Sequence, residues 1–124
     1  MSDPIQVIYV EDSPLAAYLL RAGLSVHNID VTYLDHADES VIEEIGRSKY
    51  DNVRVLILDL RMGDLTGLQI ARRLRAEGDN RPILLISGGD APSGIELMAI
   101  QAMFVSKPFD FDQISETIQR VASR

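Results

Sequence analysis

The chain has 124 residues, a formal net charge of −7 and no cysteine. That length suits one domain over residues 1–124, and the lack of cysteine excludes a disulfide framework and a thiolate zinc site and fits a reducing compartment such as the cytoplasm. The negative charge disfavours nonspecific binding to nucleic acid or anionic lipid, and the chain shows neither an apolar run of membrane-spanning length nor the basic start of a signal peptide.

Short apolar runs rich in isoleucine and valine predict five buried β-strands. In chain order, strands 1 to 5 are predicted at Ile5–Val10, Ile29–Leu34, Val53–Leu58, Ile83–Ile86 and Met103–Val105. A segment with helical spacing of apolar residues follows each strand. Strand and helix therefore alternate five times.

Capping residues predict where three of the helices begin. The N-cap residues are Ser13 for helix 1, Thr66 for helix 3 and Asp110 for helix 5. Gln69 and Gln113 lie three positions after the last two of these, where each completes the pattern of a capping box.

The alternation of strand and helix predicts an α/β fold with a parallel sheet and helices on both faces. Helix 2 is expected from an apolar stripe around Val41 and Ile45, and helix 4 from a weak pattern between Pro92 and Ala102. With right-handed crossovers the expected strand order is 2-1-3-4-5, a flavodoxin-like doubly wound sheet. In such a sheet a site forms beyond the carboxyl ends of the strands where the winding reverses, here between strands 1 and 3.

Polar residues follow four of the predicted strands at this edge. They are Glu11 and Asp12 after strand 1, Asp59 after strand 3, Ser87-Gly88-Gly89 after strand 4 and Lys107-Pro108 after strand 5. Taken singly, such an acid is about as often a helix cap as a ligand, and a lone serine or lysine is more often a turn or surface residue. Together they predict three carboxylates, a hydroxyl and an ammonium group in one cleft.

Charge balance in this cleft favours a divalent cation. Two carboxylates ~4 Å apart repel each other by about 4 kcal/mol at an effective dielectric constant near 20, and Lys107 alone cannot balance three acids. Oxygen ligands without histidine or cysteine favour Mg²⁺ over zinc. Because Mg²⁺ uses only one or two carboxylates plus a phosphate oxygen, Asp59 remains able to act as a nucleophile, as carboxylates do in aspartyl-phosphate intermediates.

Four motifs give the chain a resemblance to a known family over essentially its whole length. They are V-E-D-S at 10–13, L-D-L-R-M-G-D-L-T-G-L at 58–68, I-S-G-G at 86–89 and F-V-S-K-P-F at 104–109. In this order and at these spacings they resemble the receiver domain of two-component response regulators. The resemblance implies a phosphoprotein that catalyses only its own phosphorylation and dephosphorylation.

The resemblance also implies a role for each residue of the cleft. Asp59 would accept a phosphoryl group from the phosphohistidine of a sensor histidine kinase or of a histidine phosphotransfer protein in a phosphorelay. Asp12, Asp59 and the backbone carbonyl of Arg61 would bind Mg²⁺ directly, and Glu11 would bind it through water, with Mn²⁺ as a substitute. Lys107 would contact the acyl phosphate.

Three further residues would transmit the signal if the resemblance holds. The Ser87 hydroxyl would move onto the phosphoryl group, Gly88 would donate its backbone N–H to another phosphoryl oxygen, and Phe104 would be the switch aromatic that rotates inward. Helix 4, strand 5 and helix 5 would then form the output face, which serves a downstream effector or dimer formation. No direct contact of this chain with nucleic acid or a membrane is expected.

The sequence departs from the family pattern at three places. Gly63 replaces the usual proline, which predicts a more flexible loop after strand 3. The segment 99–102 lacks the glycine common before strand 5, which leaves the register of helix 4 open, and Gly88-Gly89 replaces a small residue followed by a variable one. None of these changes affects the five chemical positions, so a working phosphoacceptor is expected.

Two other functions share part of this pattern. A haloacid-dehalogenase-like phosphatase also uses a strand-end aspartate with Mg²⁺, but its general acid would stand at the position of Arg61, which cannot donate a proton at neutral pH. A flavodoxin-like flavin carrier would have a hydroxyl-rich phosphate loop after strand 1, where this chain has Glu11 and Asp12. Both are the weaker hypotheses.

The remaining charged residues are interpreted as surface. Arg72, Arg73 and Arg75 of helix 3 are expected to form a solvated face balanced by nearby acids, and His27 and His36 are given no role. The sequence is equally compatible with a stand-alone receiver, a phosphorelay intermediate and a domain of a longer regulator.

Overall fold

The computed structural model describes residues 3–61 and 63–123, and within them five parallel strands form one sheet. The strands are β1 (Ile5–Val10), β2 (Ile29–Leu34), β3 (Val53–Asp59), β4 (Ile83–Ser87) and β5 (Ala102–Ser106). Their spatial order is β2-β1-β3-β4-β5. The predicted flavodoxin-like sheet is confirmed, and three strands are one or two residues longer than their apolar runs.

A helix follows each strand. The helices are α1 (Pro14–Ser25), α2 (Glu39–Ile45), α3 (Gly67–Ala76), α4 (Gly94–Ile100) and α5 (Phe111–Ala122), with a short 3-10 turn at Ser48–Tyr50. No helix in the described part of the chain combines the length and apolarity that crossing a bilayer requires.

The helix starts follow the capping residues with one correction. Ser13 accepts a hydrogen bond from the Ala16 N–H, and Thr66 and Gln69 form the predicted capping box. At α5, however, Asp110 accepts from the Asp112 N–H at 2.8 Å, and no capping box with Gln113 forms. Such a turn satisfies the same unpaired donors at the helix start with a shorter reach.

The core lies in two apolar layers on the two faces of the sheet. One layer packs α1 and α5 against the sheet through buried residues such as Leu20 and Ile118, and the other packs α2, α3 and α4 through residues such as Ile42, Leu74 and Ile100. Because all the strands are parallel and buried, their apolar runs are nearly continuous. Their carboxyl ends consequently meet at one edge.

The predicted solvated face of α3, balanced by nearby acids, holds for Arg72 and Arg73, which are exposed and paired with glutamates, but not for Arg75. Arg72 contacts Glu96 of α4 at 3.2 Å, and Arg73 contacts Glu39 of α2 at 2.7 Å. Arg75 is half-buried and donates to the backbone oxygen of Ile100 at 2.7 Å. These contacts join α3 to the helices on either side of it.

The end of α4 answers the open question about its register. Gln101 adopts the left-handed conformation, with φ 52°, that a glycine would adopt most easily. Its N–H caps the helix by bonding to the carbonyls of Leu97 and Met98. The chain therefore turns into β5 without a glycine.

Candidate functional site

Asp59 is the last residue of β3 and is 4% exposed. Oδ2 accepts a hydrogen bond from Lys107 Nζ at 2.5 Å, and Oδ1 accepts one from the backbone N–H of Arg61 at 2.9 Å. A buried carboxylate needs such charged and hydrogen-bonding partners to offset its desolvation. The partners that compensate Asp59 thus come from β5 and from the loop after β3.

Lys107 reaches two carboxylates from the end of β5. Its backbone N–H donates to the Ser87 carbonyl at 2.9 Å, which fixes the start of the loop after β5. Its Nζ lies 2.5 Å from Asp59 Oδ2 and 3.9 Å from Glu11 Oε2. A single ammonium group therefore faces two acids that are both buried.

Glu11 directly follows β1 and is held by hydrogen bonds from its own segment. Oε2 accepts from the Tyr9 hydroxyl at 3.1 Å, and Oε1 accepts from the Ser13 N–H at 3.1 Å. Burial, and then the hydrogen bond and charge of Asp59, raise the pKa of Glu11 to about 7, although the Ser13 N–H and Lys107 act in the opposite direction. Ionising both acids is therefore unfavourable while Lys107 is the cation that faces them.

This raised pKa makes protein stability depend on pH. The folded protein holds the Glu11 proton more tightly than the unfolded chain, whose glutamate has a pKa near 4.5. The free energy of unfolding should therefore fall as pH rises from about 4.5 to about 7. Urea unfolding measures this free energy at pH 5 and at pH 8. Between these two values the unfolding free energy of wild type should fall by at least about 1 kcal/mol more than that of Glu11→Gln, whose side chain cannot titrate. Equal pH dependence of the two proteins would contradict the proposed environment of Glu11.

The donor set at this edge fits a hydrated Mg²⁺ ion. Asp12 is exposed and follows Glu11 directly, and the available ligands are carboxylates and backbone oxygens. The Tyr33 hydroxyl is buried without a hydrogen-bond partner among the described residues, and its pKa is raised by burial and by the charges of Asp35, Glu11 and Asp12. An excess of negative charge beside an unpaired hydroxyl suits a cation that keeps its water.

The acids do not form a ready-made cage. Across residues 3–61 and 63–123, no cluster of three or more histidine, cysteine, aspartate or glutamate side chains has the arrangement that would hold a metal ion. Mg²⁺ differs from Ca²⁺ and zinc in needing only one or two carboxylates and several waters. The predicted ligand set of Asp12, Asp59 and the Arg61 backbone carbonyl, with Glu11 acting through water, therefore stays a prediction.

Ser87 ends β4 and is 1% exposed. Its Oγ accepts a hydrogen bond from the Gly89 N–H at 3.0 Å, so the hydroxyl is tied to its own loop. The Arg61 side chain lies against Gly89 so closely that a Cβ atom there would collide with the guanidinium group. The sequence analysis gave Arg61 only a backbone role and missed this side-chain contact. The signal in the sequence was the Gly88-Gly89 pair, because a glycine at 89 leaves room for the guanidinium group.

Phe104 lies on β5 with its half-buried side chain packed against the layer beneath α2, α3 and α4. The register pairs Leu85 with Phe104 and Ser87 with Ser106. Since side chains two residues apart share a face of a strand, Ser87 and Phe104 lie on the same face of the sheet. The two residues of the predicted switch pair thus lie on the same face of the sheet, on neighbouring strands.

Gly67 allows α3 to begin directly against the end of β3. A Cβ atom at this position would collide with the backbone oxygen of Asp59, and the Gly67 N–H lies 3.3 Å from the Leu60 carbonyl. The T-G-L motif therefore contains a glycine that positions Asp59. Met62, which belongs to the longer motif at 58–68, lies outside the described residues.

A family model for the response regulator receiver domain matches residues 7–119. The chain belongs to the response regulator receiver family. It is therefore a receiver domain of the kind used in two-component signal transduction.

Individual receivers agree in sequence and in fold. The chain is 33% identical over 122 residues to the response regulator protein TodT of Pseudomonas putida, covering 96% of this chain and 52% of TodT. It is 30% identical over 117 residues to the C4-dicarboxylate transport transcriptional regulatory protein DctD of Pseudomonas aeruginosa, covering 93% of this chain and 24% of DctD. The chain thus spans about a quarter to a half of the length of these curated relatives.

Solved structures of the family superimpose on this receiver over nearly its whole length. The crystal structure of FixJ-N has a TM-score of 0.83 at 29% identity and covers 100% of this chain and 97% of its own. A receiver domain protein from Clostridium thermocellum has a TM-score of 0.84 at 18% identity and covers 97% and 95%. The second likeness shows the shared fold alone.

Proposed function

We propose that this receiver takes a phosphoryl group onto Asp59 from the phosphohistidine of a sensor histidine kinase or a histidine phosphotransfer protein. An Asp59 carboxylate oxygen forms the new O–P bond as the N–P bond breaks, and the electron pair of that bond stays on the imidazole nitrogen. The observation that carries the proposal is the buried Asp59 carboxylate in contact with Lys107 at 2.5 Å. The ammonium group stands where the negative charge of a phosphoryl oxygen must be balanced.

Mg²⁺ would be held by Asp12, Asp59 and the backbone carbonyl of Arg61, with Glu11 acting through water. When bound, it would supply positive charge to the phosphoryl oxygens, and Mn²⁺ would serve in its place. The support is the charge imbalance of the site, because the charge of Asp59 helps to raise the pKa of Glu11 to about 7. Asp12 adds a further carboxylate at the same edge.

The signal would leave through Ser87 and Phe104. In the unmodified site the Ser87 hydroxyl accepts from the Gly89 N–H, whereas a phosphoryl group would offer it strong acceptor oxygens. Movement of the hydroxyl would free space beneath α4 for the Phe104 ring and change the face built by α4, β5 and α5. A downstream effector or a second receiver would read that face, and a cytoplasmic setting fits the cysteine-free chain.

The proposal is tested by phosphorylation with phosphoramidate, followed by intact-mass measurement. The wild-type receiver should gain the mass of one phosphoryl group in the presence of Mg²⁺ and none when EDTA removes the metal. Gain of the same mass at the same rate in EDTA would overturn the metal-dependent mechanism. No gain under either condition would overturn the phosphoacceptor proposal.

Metal binding should depend more on Asp12 than on Glu11. Asp12→Ala removes a direct ligand and should weaken Mg²⁺ binding about tenfold or more, whereas Glu11→Gln should weaken it only a few-fold because its contact is through water. Amide chemical shifts during a Mg²⁺ titration measure both effects. Asp30→Ala is the matched control, since Asp30 is an exposed acid at the opposite end of the sheet. Wild-type affinity in Asp12→Ala would show that Asp12 is not a ligand.

A further inference from the structure

Helix α4 is attached to the receiver by few apolar contacts. Within its seven residues only Ile100 is buried, Leu97 is half-buried, and Ile95 and Met98 are 81% and 79% exposed. Since apolar burial is the main force that holds a helix to a sheet, α4 is weakly held by this measure. The polar contacts that it makes with α3 therefore carry much of its placement.

The C-terminal end of α4 is clamped by Arg75. Its guanidinium group donates to the backbone oxygens of Ile100 at 2.7 Å and Gln101 at 3.1 Å, and also to those of Asp79 and Arg81 at 2.8 Å each. Hydrogen bonds from a charged donor to helix-end carbonyls are stronger than neutral ones. Two of these bonds hold the end of α4, and the other two tie the same half-buried guanidinium group to the segment after α3.

Among the described residues, the ion pair between Arg72 and Glu96 joins the N-terminal half of α4 to α3. Arg72 Nη2 lies 3.2 Å from Glu96 Oε2, and the two side chains are 55% and 39% exposed. The other carboxylate oxygen of Glu96 accepts from the Ser93 N–H at 3.2 Å and completes the capping box of α4. An exposed pair of this kind is weak, so this end can be released at low cost.

The weakly held end is the one that adjoins the phosphoacceptor site. The loop from Ser87 leads through Gly88 and Gly89 to Ser93, the N-cap of α4. The Ser87 hydroxyl is bound to this loop through the Gly89 N–H. A displacement of Ser87 would therefore act on the N-terminal end of α4, while the Arg75 clamp holds the other end.

We propose that the Arg72–Glu96 pair is a latch that keeps α4 in its unphosphorylated position, and that α4 pivots about the Arg75 clamp when the latch opens. This inference rests on the proposed function, in which phosphorylation of Asp59 draws Ser87 toward the phosphoryl group. Opening the latch by mutation should raise the population of the phosphorylated-like state before any ligand is added. A ligand selective for that state should then bind more tightly.

The test compares Arg72→Ala with Arg73→Ala in a titration with beryllofluoride and Mg²⁺, followed by amide chemical shifts. Both changes remove one positive charge from an exposed ion pair of α3, but Arg73 is joined to Glu39 of α2 and not to α4. Arg72→Ala should lower the apparent dissociation constant of beryllofluoride about two- to fivefold. Arg73→Ala should leave it at the wild-type value.

Two further variants separate the latch from the pivot. Glu96→Gln should reproduce the effect of Arg72→Ala, because glutamine keeps the capping box and loses only the ion pair. Arg75→Lys keeps the charge but loses the planar fork, so the Gln101 amide should exchange its hydrogen about tenfold faster or more. Unchanged exchange in Arg75→Lys would overturn the pivot.

The outcomes also distinguish this inference from the proposed function. Wild type that responds to beryllofluoride, together with equal dissociation constants for Arg72→Ala and Arg73→Ala, would overturn the latch and leave the phosphoacceptor proposal intact. Wild type that shows no beryllofluoride-dependent shift would overturn both. A lower dissociation constant of beryllofluoride in Arg72→Ala and Glu96→Gln, with the wild-type value in Arg73→Ala, would support the latch.

Discussion

Asp59→Asn should abolish phosphorylation of this receiver. Asparagine has nearly the same shape and can still accept the Arg61 N–H through its oxygen, but its neutral amide is a poor nucleophile toward phosphorus. Intact-mass measurement after phosphoramidate and Mg²⁺ treatment should show no phosphoryl adduct. The matched control is Asp64→Asn, an exposed acid in the loop after β3, which should be phosphorylated like wild type.

The same variant should change the electrostatics of the site in a measurable way. Asp59 is a cause of the raised pKa of Glu11, second only to burial, so its replacement should lower the pKa of Glu11 toward its ordinary value. The fall in unfolding free energy between pH 5 and pH 8 should then be smaller than in wild type. A phosphoryl adduct on Asp59→Asn, or an unaltered pH dependence, would contradict this account of the acid pair.

Gly67→Ala should destabilise the receiver strongly. The added methyl group would meet the backbone oxygen of Asp59, and backbone at the end of a buried strand cannot yield as a flexible side chain does. Overpacking typically costs about 1–3 kcal/mol of unfolding free energy, and the upper end is expected here because the clash is with backbone. Urea unfolding measures the loss, and phosphorylation should also slow because Asp59 is displaced.

Gly94→Ala is the control for this effect. Gly67 and Gly94 are the first residues of α3 and α4, but nothing lies within 4 Å of a Cβ atom at Gly94. Alanine there should be neutral or should stabilise by up to about 1 kcal/mol, because it lowers the entropy of the unfolded chain. Equal stabilities of the two variants would show that the close approach of α3 to Asp59 is not required.

The sheet could be predicted from the sequence because buried parallel strands leave a strong signal. The predicted bounds of β1 and β2 agree with the structure, since both runs end where polar residues begin. The runs of β3 and β4 stop short of Asp59 and Ser87, which still belong to their strands. Hydropathy cannot show that a polar residue continues a strand, and at both positions that residue belongs to the site.

The contacts between helices could not be predicted, because one sequence does not show which charges meet in space. Arg72, Arg73 and Arg75 are near neighbours on α3, yet they contact α4, α2 and the end of α4 respectively. The left-handed conformation of Gln101 could not be predicted either, because it depends on how the chain is arranged in space. Its conformation is imposed by the turn into β5, and the Arg75 bonds to the adjacent carbonyls support it.

The part of the site that could be predicted is the part that the strand order places at one edge of the sheet. Parallel strands bring Glu11, Asp59 and Lys107 to one edge whatever the details of packing, and the structure brings these three together. The buried Tyr9 and Tyr33 hydroxyls beside them were not foreseen. Aromatic residues in an apolar run look like core, and only coordinates show where their polar ends lie.

The most direct test of the account is to locate the phosphoryl group. Wild type is phosphorylated with Mg²⁺ and phosphoramidate, reduced with borohydride, which converts an acyl phosphate to the alcohol, digested and analysed by mass spectrometry. Asp59 alone should be reduced to homoserine, and only in samples that contained Mg²⁺. Reduction at Asp12, at Glu11 or at any other carboxylate, with Asp59 intact, would contradict it.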